Sequence, residues 1–409
     1  MATFSIALSG LTAANSALDI TSNNIANADT IGFKSSSAEF ADVYASGAVN
    51  LNSTTAGEGV RVVTAAQQFT QGNISTTNGA LDMAISGNGF FTLNGSSGDM
   101  YTRNGQFSED ANGNVVSATG GYLQVYPPLA NGGFNTGALQ NLNLNTAQSA
   151  PVATTAGTVI LNLPSNATVP TQAPFNPANS NTYTQSTSTT AYDSLGNSYP
   201  ATFYFSQTTT PDKWTVNMTV NGTTVGAAQT LTFSNTGAVT APPGGALTFA
   251  GFAPPDGAQA MSLNFNFGQS TQYGTQFGVT SIVQNGYTTG QLSTLSIDPS
   301  GIVSAVYTNG RSTQLGQLAI ANFPNPQGLQ QLGNTDWAQT FTSGTVVQGT
   351  AGSAGFGTVQ AGALESSNVD LTTELVNMIT EQRAFQANAQ VITTADQMSQ
   401  TVIGIATNG

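Results

Sequence analysis

The chain contains no cysteine and no histidine among its 409 residues, and this pair of absences removes a large part of protein chemistry. Without thiols and imidazoles there is no disulfide, thiolate nucleophile, haem or Fe–S ligation, structural zinc or Ser-His-Asp triad. Charge is also scarce: charged residues make up 6% of the chain, where about 25% is usual. Lys34, Arg61, Arg103, Lys213, Arg311 and Arg383 are the only basic residues against 19 acidic ones, a net charge of −13. That balance argues against nucleic acid and against an anionic membrane surface. A surface poor in charge and rich in Asn, Gln, Ser, Thr and Gly has little repulsion to keep copies apart, which favours association with its own kind. No run reaches the roughly 18 apolar residues of a membrane-spanning helix, so no membrane insertion is expected. Met1-Ala-Thr-Phe-Ser-Ile6 lacks the basic n-region and apolar h-region of a secretory signal. The protein is expected to be cytoplasmic, or to leave the cell by a route that removes no leader.

The two ends of the chain carry its clearest pattern. Leu371, Leu375, Met378, Gln382, Phe385, Ala389 and Ile392 step alternately by four and three, the spacing of a coiled-coil seam. The stripe continues through Ala395, Met398, Val402 and Ile405 with one short step too many for a strict heptad, so the seam should overwind or shift face there. At about 1.5 Å per residue such a helix is roughly 50 Å long. Ser367-x-x-Asp370 stands ahead of it as a capping box. At the other end Phe4, Leu8, Leu11, Asn15, Leu18, Ser22 and Ile25 repeat the spacing, with Thr3 placed to cap the first turn. Asn15 and Ser22 interrupt the seam, and such polar positions can fix register at a cost in stability. Two amphipathic helices on one globular core would give similar stripes. Their placement at opposite ends favours a stalk.

Between the ends the text becomes β. Asn27 to Lys34 is an Asn/Asp/Gly-rich break that ends the first helix. In the connector that follows, Glu39, Phe40, Val43 and Tyr44 suggest a short turn of helix, and Gly59 to Val63 a strand. Ala84 to Leu93 reads as two strand pieces around Gly87 and Gly89, and Phe107 to Val116 as a hairpin turning at Asn112-Gly113. Similar wording recurs at Leu295 to Val303, Tyr307 to Arg311 and Leu315 to Phe323, so one β-domain is expected from two chain segments. The intervening stretch is enriched in Thr, Ser and Pro. Its strands Thr202 to Phe205 and Trp214 to Val220 alternate cleanly, Asn221-Gly222 is a hairpin turn, and Leu263, Phe265 and Phe267 share one strand face. The fold class expected is α+β multidomain: terminal α-helices forming a coiled-coil stalk, carrying nested, mainly-β outer domains. The boundaries are 1–26 plus 368–409 for the stalk and 27–69 plus 362–367 for a connector. A discontinuous β-domain takes 70–146 plus 284–361, and an inserted β-domain takes 147–283.

No local motif carries chemistry. Gly352, Gly355 and Gly357 lack the strand-turn-helix context of a dinucleotide site. Asp110 to Asn114 lacks the spacing and closing Glu of a calcium loop and reads as a turn. Asp82, Asp110, Asp193 and Asp298 could in principle supply a glycosidase pair, yet all but Asp82 lie in turn-like text. The aromatic residues of the middle segment read as core and not as a binding box. Neither an enzyme nor a cofactor or metal site is expected.

Certain residues also carry a resemblance. Ala7-Leu-Ser-Gly-Leu11, with Asn23-Asn-Ile-Ala-Asn-Ala-Asp-Thr-Ile-Gly-Phe-Lys34, resembles the N-terminal signature shared by bacterial flagellar rod, hook and hook-associated axial proteins. Its motif positions here are Asn23, Asn24, Asn27, Gly32, Phe33 and Lys34. Gly362 to Leu371, Glu374 to Ile379 and Gln382 to Gln390 resemble the matching C-terminal signature. Gly286-Tyr287, Leu318 to Phe323 and Gly328-Leu329, with one inserted outer domain, are most similar to the hook members of that group. The likeness covers about 1–145 and 285–409, and the insertion matches only in position and β-character.

The resemblance implies a self-assembling structural subunit of the hook, the curved tube that couples motor to filament, outside the cell. Homo-oligomeric tubes would form through Phe4, Leu8, Leu11, Leu18 and Ile25 on one helix and Leu371, Leu375, Met378, Phe385, Ile392, Met398 and Val402 on the other. It also implies export by the flagellar type III apparatus and contacts with the distal rod protein, the hook cap protein and the hook-filament junction protein. A surface adhesin with a ligand-binding β-domain, or a distal-rod subunit, are the alternatives; Lys34 and Arg383 have no assignable partner from sequence. Amphipathic helices without partners are marginal in water, so limited proteolysis should trim the monomer, but not assembled tubes, back to about residues 70–360. Equal trimming of both forms would contradict a terminal assembly region.

Overall fold

The computed structural model describes residues 2–43, 57–96, 98–145 and 148–407. Among them the architecture is mostly β, with an α-helix at each end of the chain: α1 (Ala2–Ala26) and α2 (Leu371–Thr407). Two compact units result, one from Met1–Asn145, Thr294–Ala305 and Ser312–Gly409, the other from Thr146–Ser293 and Val306–Arg311.

In the first unit α1 lies along α2. The cap of α2 is Asp370, whose Oδ1 accepts the backbone N–H groups of Thr372 (2.9 Å) and Thr373 (3.0 Å). Ser367 does not serve as the cap of a box, because the helix begins at Leu371; its hydroxyl accepts only the N–H of Val369. The side chains of Thr3 and Ile405 lie outside the described residues. Beyond α1 the chain forms an antiparallel hairpin of Ser36–Asp42 with Val60–Gln67. This overturns the expected turn of helix at Glu39 and Phe40: both sit in the first strand, whose hydrogen bonds come from a partner too distant in sequence for local pattern to register. Val43 follows that strand, and Tyr44 lies outside the described residues.

The β part of this unit joins two distant chain segments in one 12-stranded sheet. Strand Ser312–Asn322 pairs with both Tyr122–Tyr126 and Phe90–Gly95, in register Leu318 to Val125 and Ile320 to Phe91. Phe91, Leu93, Leu123, Val125, Leu318 and Ile320 are fully buried in its core. A second cluster of Phe90, Tyr101, Phe323 and Trp337, joined by Phe69, stacks edge to face.

The second unit is a sandwich of two five-stranded sheets. Phe203, Phe205 and Trp214 from one face meet Phe249, Phe265 and Phe267 from the other, with the Phe203 and Phe265 rings 4.9 Å apart. Its hairpin at Asn221-Gly222 has positive φ at both residues (51° and 77°), as a type I′ turn requires. One turn device recurs in both units. In Asp110 to Asn114 and Asp193 to Asn197 the aspartate Oδ1 accepts the N–H groups two and four residues on, and the residue three on is a glycine at positive φ. At Asp298 to Ile302 the aspartate accepts the Ser300 hydroxyl and the Ile302 N–H. The aspartates suspected as catalytic candidates at these three places are therefore turn formers.

Candidate functional site

The two signature segments meet around one buried carboxylate. Lys34 Nζ lies 2.6 Å from Glu365 Oε1, and Arg103 NH1 lies 3.1 Å from Glu365 Oε2, with all three side chains at most 5% exposed. Glu365 Oε1 also accepts the Gly72 N–H at 2.9 Å, Lys34 Nζ donates to the Thr70 carbonyl, and Arg103 NH2 donates to the Gly87 carbonyl. Arg103 stacks 5.4 Å over the Phe90 ring. Burial pulls the Lys34 pKa below its ordinary value, with Glu365 opposing, and acts on Arg103 in the same sense.

The backbone repeats this linkage. Gly32 N–H donates to the Glu365 carbonyl at 2.8 Å, Asn368 Oδ1 accepts the Ser35 N–H, and Asn368 Nδ2 donates to the Gln68 and Thr70 carbonyls. Gly32 has φ of +71°, and a Cβ there would fall 2.6 Å from the Asn104 nitrogen, so both conformation and space demand glycine. Asn24, almost fully buried, donates to the Ser36 carbonyl and accepts the Ser36 N–H, clamping the end of α1 to the hairpin. Asn27 closes the helix terminus on Asn23, and the Phe33 carbonyl accepts the Asn368 N–H. The motif residues Asn23, Asn24, Asn27, Gly32, Phe33 and Lys34 are thus brought together as a clasp between helix, hairpin and tail. Sequence reasoning left Lys34 without a partner and gave no role to Arg103, Glu365 or Asn368. Pairs separated by 331 and 262 positions leave no local signal.

The helices divide their faces differently from the expected seam. On α1 the buried or half-buried line is Ala7, Gly10, Ala14, Ala17, Thr21 and Asn24, again stepping by three and four, but made of small residues. On α2 the half-buried line is Glu374, Met378, Glu381, Phe385, Asn388, Ile392 and Ala395. A Cβ on Gly10 would strike the Asn388 side chain, and Thr21 donates to Glu381 at 3.1 Å. Small residues let the helix axes approach closely. Met378, Phe385 and Ile392 are half-buried on this line. Phe4, Leu8, Leu371, Leu375, Met398 and Val402 are instead 45% to 65% exposed, and Leu11, Leu18 and Ile25 are half-buried. Phe4 shares an open apolar groove with Val391, Met398 and Val402. Among the described residues no group of three or more carboxylates or other ligands is placed to hold a metal, and no helix is long and apolar enough to cross a membrane.

Comparison with known proteins gives this geometry its context. Family models match at both ends, "Flagella basal body rod protein" at residues 4–34 and "Flagellar basal body rod FlgEFG protein C-terminal" at 360–405. The model "Flagellar hook protein FlgE/F/G D1 domain" matches 84–174, and "Flagellar basal body protein FlaE D2 domain" matches 162–287. The flagellar hook protein FlgE of Escherichia coli K12 is 39% identical over 98% of this chain and 99% of its own. The chain belongs to the flagellar hook protein family. The hook protein of Borreliella burgdorferi is 32% identical over 97% of each chain. The crystal structure of Helicobacter pylori hook protein FlgE2 shares the fold with a TM-score of 0.52 at 14% identity, covering 71% of this chain and 100% of that one. The hook-family match includes the middle segment, which sequence reading had matched only in position and β-character. As a hook protein the chain is a structural subunit of the flagellum outside the cell and not an enzyme.

Breaking a buried ion pair by removing one partner costs about 3–5 kcal/mol, so Glu365→Gln should lower unfolding stability by that order in urea titrations. Lys34→Met, Arg103→Met and Glu365→Leu combined should recover most of the loss; no recovery would mean that the hydrogen bonds, and not charge balance, hold the clasp.

Glu381 gives a pH effect. Burial holds its pKa above the ordinary 4.5; the Thr21 hydrogen bond opposes this and the charge of Glu374 reinforces it. An acid raised on folding stabilises the fold below its unfolded pKa and loses that contribution as pH rises through the folded value. Helical circular dichroism should therefore resist heating better at mildly acidic than at neutral pH, with the difference smaller in Glu381→Gln. A pH response unchanged in that variant would assign it elsewhere.

Proposed function

We propose that copies of this chain build the hook by packing the outward apolar residues of their terminal helices against one another, forming the inner layer of a hollow tube. The observation that carries this is the division of faces. Small residues close α1 on α2 within one chain, while Phe4, Leu8, Leu371, Leu375, Met398 and Val402 remain exposed. Burying each such side chain between copies would contribute about 1.5–3 kcal/mol. Leu11, Leu18 and Ile25, half-buried already, would complete their contacts in the tube, and Met378, Phe385 and Ile392 would serve both the chain's own helix pair and the assembly.

In this proposal 1–26 with 368–409 form a coiled-coil stalk and 27–69 with 362–367 the connector. Residues 70–146 with 284–361 form one β-domain, and 147–283 an outer one. The hook is a universal joint that bends while turning, so neighbouring outer surfaces must shift with each revolution. Surfaces of Asn, Gln, Ser and Thr suit this, since no strong ion pair has to break at each step. Export through the flagellar type III apparatus, addition beneath a hook cap protein, and end contacts with the distal rod and hook-filament junction proteins follow from the hook role. Near-complete coverage by hook proteins favours this reading over the adhesin and distal-rod alternatives.

Purified protein should polymerise into tubes without added ligand. Leu375→Asp, which places a charge on the exposed face, should leave the monomer folded and abolish tubes under electron microscopy. Tubes of normal length from that variant would refute the cohesive role of the helices.

A further inference from the structure

We propose that Asn221 is a site of spontaneous covalent modification by water, its amide turning into a carboxylate through a cyclic imide formed with Gly222. The pair is the tip of the hairpin between Lys213–Val220 and Thr223–Phe233, and both residues are exposed. In such a pair the main-chain nitrogen that follows asparagine attacks the side-chain carbonyl carbon, and glycine obstructs that approach least because it has no side chain. A bond forms between the Gly222 nitrogen and Asn221 Cγ, and the bond from Cγ to the side-chain nitrogen breaks. That nitrogen takes up the proton lost from the Gly222 N–H and leaves as ammonia. Water then opens the ring at either carbonyl, giving aspartate, or an isoaspartate whose main chain runs through Cβ and Cγ. Nothing is oxidised or reduced, and loss of ammonia makes the change cumulative.

Asn-Gly recurs along the chain, and the structure separates this pair from the others. The Asn221 N–H donates to the Pro200 carbonyl at 2.9 Å, but the Asn221 side chain and the Gly222 N–H make no hydrogen bond among the described residues. A Cβ on Gly222 would meet nothing within 4 Å. Both reacting groups are therefore free to turn toward each other. Elsewhere one of them is held. The N–H groups of Gly113, Gly132 and Gly310 donate to the carbonyls of Asp110, Leu129 and Tyr307 at 3.0, 3.1 and 3.0 Å. Gly286 N–H donates to Gln284 Oε1 and Gly79 N–H to Thr77 Oγ1. Asn104 Oδ1 accepts the Gln106 N–H, and Asn94-Gly95 lies in a paired strand. At Asn88-Gly89 the glycine is buried, and a Cβ there would fall 2.4 Å from the Ile320 side chain, so its backbone is walled in.

The test is to incubate the purified full chain at mildly alkaline pH in heavy-oxygen water and to follow its peptides by mass spectrometry. The peptide carrying Asn221 should gain the amide-to-acid mass, take up one heavy oxygen and contain isoaspartate. It should convert about tenfold faster than the peptides carrying Asn112, Asn285 and Asn309, where a hydrogen bond must be given up first. In concentrated urea, where no fold restrains any pair, the rates should converge. Conversion at Asn112, Asn285 or Asn309 as fast as at Asn221 in the folded chain would overturn the proposal. So would an Asn221 peptide that stays intact in the folded chain while it converts in urea. A product free of isoaspartate would overturn the cyclic route.

Discussion

A single carboxylate shared by two buried cations is the constraint around which the first unit is arranged. Removing Glu365 from water is costly, as it is for Lys34 and Arg103, and the cost is tolerable only because each charge finds its partner at close range. The arrangement exists only when the end of α1, the segment at 70–72, the strand loop at 103 and the approach to α2 are all in place. Buried ion pairs are weak devices for adding stability. Their geometry here ties the two chain ends together at one buried point.

From that clasp the helices run out with their residues sorted by size. On α1 alanine, glycine and threonine line the contact with α2, which meets them with Met378, Phe385 and Ile392 among others, while Phe4, Leu8, Leu371, Leu375, Met398 and Val402 are exposed. Charged residues make up only 6% of the chain. Two of its six basic residues are spent inside the clasp. The chain is therefore poor in basic side chains for ion pairs with its neighbours.

Much of the fold was legible because its signals are local. Heptad spacing marked both helices, Asn-Gly marked hairpins, and clean alternation marked strands such as Trp214 to Val220. The errors share one cause. Glu39 and Phe40 look helical until Val60–Gln67 pairs beside them, and Ser367 looks like a cap until the helix is seen to start at Leu371. Lys34 has no assignable partner until a glutamate 331 positions away reaches it. In each case a partner outside the local window decided the outcome.

By itself the sequence determined the helical ends, the β character of the domains between them, the exclusion of thiol and imidazole chemistry, and the membership of an axial flagellar family. Periodicity, turn chemistry and composition are properties of neighbouring residues, and they survive without coordinates. Only the tertiary structure decided which heptad face α1 turns toward α2 and that the signature residues close on Glu365. Those outcomes depend on how near two helices can come and on where a buried charge finds its counterpart, and both are settled by contacts between residues hundreds of positions apart.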